Sequence, residues 1–135
     1  MFGFAKRNAA FEASLARLAA DLCDVRLLAL LTADGLVRGC WPASFDEDRL
    51  SAMSAATLSL GERIVKELKL GKLRYALQAG EFGLHLVFML DGEYGLAMNV
   101  RPDVSLDALF AALERCLPPF CLELGIALSP AWKLR

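Results

Sequence analysis

The sequence predicts an α/β (α+β) sandwich, a five-stranded antiparallel sheet with helices on both faces. Three observations predict it. Five short runs carry strand patterning, and both groups they form contain an Asp-Gly turn, Asp34-Gly35 and Asp91-Gly92. Such a turn suits a hairpin, because its central residues need positive φ. Two of the runs, Val25–Thr32 and Leu84–Leu90, are apolar on both faces, so each side of the sheet needs cover. Three further segments repeat their apolar residues at helical spacing and can supply it.

The elements follow in order. Phe11, Leu15, Leu18, Ala19 and Leu22 make one stripe of a helix at about residues 8–23, with Glu12, Arg17 and Asp21 off the stripe. Val25–Thr32 is a strand covered on both faces. Leu36–Trp41, with Arg38 and Gly39, is an edge strand stopped by Pro42. Ser44-Phe45-Asp46-Glu47 fits a capping box, serine first and glutamate three residues on. The helix it opens covers about residues 45–69. Leu50, Met53, Thr57, Leu60, Ile64 and Leu68 form one stripe on it. Ala52, Ala55, Ala56 and Ser59 form a small, weakly polar side that lets another backbone or helix come close. Lysines in its last turn and Gly71 end it.

Lys72 to Ala79 alternates, with Leu73, Tyr75, Leu77 and Ala79 on one side, as a half-buried strand does. Leu84–Leu90 reads as the central strand and Tyr94–Val100 as the fifth. Arg101-Pro102-Asp103 breaks the chain. Leu106, Leu109, Phe110, Leu113 and Leu117 then form a helix ended by Pro118-Pro119. The tail alternates Phe120, Leu122, Leu124, Ile126 and Leu128 with smaller or polar residues. That pattern is strand-like, with a short amphipathic helix as its alternative.

Composition narrows the function. The chain has 135 residues, 56% hydrophobic and 23% charged, enough for one core. Fifteen basic against sixteen acidic residues leave a formal charge of −1, which argues against a non-specific nucleic-acid binder or a polybasic membrane anchor. The longest uncharged run, Leu50–Gly61, is too short to span a bilayer. Glu12, Arg17 and Asp21 interrupt any signal-peptide core. A cytoplasmic chain is expected, with Cys23, Cys40, Cys116 and Cys121 as reduced, core or half-buried thiols.

No chemistry is announced. The single histidine, His85, would have to serve any Ser-His or Cys-His pair. There is no G-x-S-x-G frame and no phosphate-binding G-x-x-x-x-G-K-[ST] loop. No catalytic residue, cofactor site or metal site is nominated. A lone histidine in an apolar strand reads as packed and hydrogen-bonded. Asp34, Asp91 and Glu93 read as turn chemistry rather than a cation site. Trp41 reads as core rim. Arg63, Lys66, Lys69, Lys72 and Arg74 fall within twelve residues. They either complement a helix C-terminus or dock an acidic partner surface.

Ala29-Leu30-Leu31-Thr32-Ala33-Asp34-Gly35-Leu36-Val37, the small-residue helix Leu50 to Leu68, and Leu84 to Val100 with its Asp-Gly turn resemble, in that order, the roadblock/dynein light chain family. The match runs from about Phe11 to Leu117. The junction Arg101-Pro102-Asp103 and the apolar tail after Pro119 depart from the family's pattern. The resemblance implies a profilin-like sandwich over residues 1–135, with a core at about 8–117 and an extension at 118–135. It implies dimerisation, with itself or a roadblock-like paralogue, through the third strand and second helix. Candidate contact residues are therefore Leu73, Arg74, Tyr75, Ala76 and Leu77 on the strand. Ala52, Ala55, Ala56, Ser59, Arg63, Lys66 and Lys69 are the candidates on the helix. It also implies a non-enzymatic regulator or scaffold for a small Ras-like GTPase. The alternative is a small-molecule sensor, marked by a cavity lined with Phe88, Met89, Met98 and Tyr94.

Overall fold

The computed structural model describes residues 9–43, 46–130 and 132–135. The order is α1 (Ala9–Leu22), β1 (Val25–Thr32), β2 (Val37–Trp41), α2 (Glu47–Glu67), β3 (Ala76–Gly80), β4 (Gly83–Met89), β5 (Tyr94–Val100) and α3 (Leu106–Leu124). The strands form one antiparallel sheet in the order β2-β1-β5-β4-β3. The expected five-stranded sheet is present. The central strand, however, is β5 rather than β4: the chain pairs β5 back against β1, which pushes β4 outward.

Side-chain alternation sorts the sheet into two cores. Leu28, Leu30, Leu86, Phe88, Leu96 and Met98 face α1 and α3 and build the larger one. Leu27, Ala29, Leu31, Val87 and Ala97 face α2 and meet Leu50 and Leu58. Helices thus cover both faces, α1 and α3 together on one and α2 alone on the other.

The start of α2 differs from expectation. Its cap is Asp46, whose carboxylate accepts from the Arg49 N–H at 3.2 Å. Ser44, the expected cap, lies outside the described residues. β3 begins at Ala76 rather than Lys72, because Leu73 and Tyr75 are drawn sideways into contacts of their own. Leu73 packs where a Cβ on Gly61 would meet it at 3.2 Å, and the Tyr75 ring lies 5.1 Å from that of Phe110.

The prolines do not end the last helix. α3 runs through Pro118 and Pro119 to Leu124. Both prolines are exposed, so carbonyls left without donors one turn earlier are on the outer side. Leu113 and Leu117 before them and Phe120 and Cys121 after them are all buried, and this apolar face holds the helix across the break. Gly125, with φ 71°, stops it. The Ile126 N–H returns to the Cys121 carbonyl at 2.8 Å, closing a Schellman motif. The strand-like pattern of the tail was therefore half helix. Its remainder docks, with Ile126 and Leu134 buried and Trp132 packed 6.0 Å from Phe88.

The cysteines are free. Cys40 and Cys121 are buried and Cys116 is half-buried, but Cys23 is exposed. It follows α1 at a positive φ of 58°, which turns it out of the helix stripe.

Candidate functional site

β3 borders only β4, and its other side is open among the described residues. Gly80 pairs with Gly83 across the two-residue turn Glu81-Phe82. Residues flanking such a turn exchange hydrogen bonds, and the exchange then alternates along the strand. Ala76, Gln78 and Gly80 therefore point their backbone groups at β4, while Leu77 and Ala79 point theirs at the open side.

α2 lies beside this edge, and the face it packs decides what is left to offer. Leu50, Ser54 and Leu58 are buried on it. Ala55 meets Gly35 of the first hairpin, and Gly61 meets Leu73 and Ala76. Small residues do permit close approach here, but to the chain's own sheet. The larger apolar stripe is turned outward instead. Met53 is 58% exposed, Leu60 59%, Ile64 45% and Leu68 65%. Ala52, Ala56 and Ser59 are exposed beside them. The uncovered face is therefore an apolar ridge with a small-residue flank.

Sequence reasoning missed Met53, Leu60, Ile64 and Leu68 as surface residues. Both stripes of α2 are apolar enough to be a core. No local signal separates them; the inward side is marked only by contacts across the fold, Gly35 with Ala55 and Gly61 with Leu73 and Ala76.

The other nominated residues divide. Ala76 and Leu77 lie on β3. Leu73 and Tyr75 anchor the strand inward, and Arg74 is exposed. The Arg63 guanidinium pairs with Glu67 at 3.2 Å, Lys66 is exposed on the last turn, and Lys69 lies beyond the helix at φ 57°.

His85 is half-buried opposite Asn99. Its Nδ1 is hydrogen-bonded to the Asn99 side-chain amide. Asp91 accepts from the Glu93 and Tyr94 N–H groups at 2.8 and 2.6 Å, and Asp34 accepts from Thr32; both aspartates serve their turns. Among the described residues, no group of three His, Cys, Asp or Glu side chains is placed to hold a metal ion. No described helix is long and apolar enough to cross a membrane. The four residues expected around a sensor cavity do not share one. Phe88 and Met98 are closed in the larger core, Tyr94 packs edge-on to Phe11, and Met89 faces the other side.

No protein-family model and no curated protein matches the chain. Solved structures do. A roadblock/LC7 domain from Streptomyces avermitilis aligns with a TM-score of 0.69 at 18% identity, covering 84% of this chain and 97% of that one. MglB from Myxococcus xanthus aligns at 0.70 with 14% identity, covering 86% and 92%. Profilin IA from Acanthamoeba castellanii aligns at 0.56 with 8% identity, covering 86% and 99%. With three helices on a five-stranded antiparallel sheet and these likenesses, the chain has the roadblock/LC7 fold, a profilin-like α+β sandwich.

Proposed function

We propose that the chain is a non-enzymatic, dimeric regulator or scaffold acting on a small Ras-like GTPase. The carrying observation is that an open strand edge and an uncovered apolar ridge adjoin on one subunit. An open edge invites strand addition, and an isologous two-fold closes it with a second copy or a paralogue. The same operation lays two α2 helices side by side in opposite directions. The acidic first turn, Glu47 and Asp48, then approaches the partner's basic last turn at Lys66. Unlike charges at the two ends favour this antiparallel arrangement over a parallel one.

The GTPase reading rests on the likeness to roadblock/LC7 structures. Its physical route is surface complementarity: a dimer that binds one conformation of switch segments more tightly shifts their population without inserting a catalytic group. Sedimentation equilibrium at micromolar concentration tests the dimer, with twice the 14.7 kDa chain mass expected. GTP hydrolysis by a purified small Ras-like GTPase, with and without the protein, tests the regulation. A persistent monomer contradicts the interface. Unchanged hydrolysis together with no binding contradicts the GTPase role.

A further inference from the structure

At the β4–β5 turn, the segment leaving α2 and the C-terminal tail border a groove of about 670 Å³. Leu70, Leu73, Met89 and Trp132 supply its apolar lining. A neighbouring depression of about 330 Å³ shares Lys72, Leu73 and Met89 and reaches Glu62 and Lys66 on α2. The two form one trough. Glu62 and Lys66 each stand two residues from a ridge residue, Leu60 and Ile64, so they point to the other side of the helix. The trough thus opens away from the apolar ridge of Leu60 and Ile64, and only Lys66, at the end of α2, borders both surfaces.

The charge of the trough is one-sided. Lys72, Arg74, Lys133 and Arg135 line the larger groove against a single acid, Asp91. Arg135 is neutralised by Glu114, with contacts at 3.0 and 3.2 Å. Asp91 is held by the two backbone N–H groups of its turn. Lys72, Arg74 and Lys133 are exposed and have no carboxylate partner among the described residues. Trp132 adds an indole N–H that is buried without an acceptor among them.

We propose that this trough binds an acidic, partly apolar peptide segment of a partner protein. Its carboxylates meet Lys72, Arg74 and Lys133, and an apolar side chain lies over Leu73, Met89 and Trp132. An extended segment suits the shape better than a small anion does. A small-ligand site encloses most of its ligand, whereas this trough is open along its length and its cations stand apart on long stems. The tail after α3, without regular structure, becomes the wall that makes the site.

The test uses a short fluorescein-labelled peptide alternating glutamate with leucine. Its anisotropy should rise on adding the protein, with affinity falling as salt is added. The double variant Lys72→Glu with Lys133→Glu should weaken binding at least about tenfold. Arg115→Glu, an equal charge change per site at an exposed α3 position outside the trough, should change it less than about twofold. Amide shifts on titration should cluster at Gly92, Ser129 and Lys133 rather than at Met53 and Ile64. No anisotropy change overturns the proposal. So does an equal loss per charge from Arg115→Glu, or shifts confined to the α2 ridge. Direct calorimetric binding of inorganic phosphate that displaces the peptide would overturn it in favour of a small-anion site. Binding by a Leu60→Asp monomer separates this result from failure of the dimer reading.

Discussion

Gly35 and Ala55 are in such close contact that a Cβ built on Gly35 would stand 2.5 Å from the Cβ of Ala55. The φ of Gly35 is +90°, a conformation that side chains rarely adopt. The hairpin turn thereby serves as the seat of α2, and the Ser51 hydroxyl secures it by donating to the Gly35 carbonyl at 2.6 Å.

Gly35→Ala should therefore destabilise the fold through strain and overpacking together, by about 2–4 kcal/mol. Thermal melting should drop by roughly 10 °C. Gly92→Ala, at a turn glycine with open space around its Cβ position, should cost much less. Equal effects would mean that the Gly35–Ala55 contact does not seat the helix.

The open edge gives a second prediction. Ala79→Pro removes a backbone donor that points away from β4, so it should dissociate the dimer with little loss of subunit stability. Ala76→Pro removes one that bonds Val87, its register partner, and should lower the melting temperature first. Sedimentation and melting measured on both variants distinguish the outcomes. Reversal of the two would show that the open edge is not the contact.

The ridge can be tested without touching the core. Leu60 is 59% exposed, so Leu60→Asp should change subunit stability by no more than about 0.5 kcal/mol. In a two-fold dimer each change counts twice, and the dissociation constant should rise by about a hundredfold or more. Sedimentation of Leu60→Asp beside Arg115→Glu reads this directly. An intact Leu60→Asp dimer would move the contact elsewhere.

Cys121 should make stability fall at alkaline pH. Burial, and secondarily the negative charge of Asp91, push its thiol from 9.0 up to about 11. The folded chain then holds this proton more tightly than the unfolded chain. The contribution is complete below pH 9 and lost as the pH rises through 11. Its size is a few kcal/mol at most. Urea titrations across this range should show the decline in the native protein and a flatter profile in Cys121→Ala. Alkylation should label exposed Cys23 well before Cys121.

The sequence alone determined the elements and the fold class. Asp34-Gly35 and Asp91-Gly92 marked both connections, although only Gly35 takes the positive φ expected of such a turn and Gly92 does not; doubly apolar β1 and β4 required helices on each face. These signals are local: turn composition, side-chain period and capping chemistry act over a few residues. Three matters were decided only in the tertiary structure. Pro118 and Pro119 stop a helix by local rule, yet the buried residues on either side, Leu117 and Phe120, carry α3 through them. α2 has two apolar stripes. Which one faces the sheet depends on Gly35 and Gly61 meeting small or flexible neighbours across the fold, a distance that periodicity does not contain. The basic residues of α2 and its exit looked like one run. The docked tail instead gathered Lys72 and Arg74 with Lys133, some sixty residues away. Local sequence encodes backbone preference, but the orientation of a symmetrical helix and the meeting of distant charges are fixed only when the chain closes on itself.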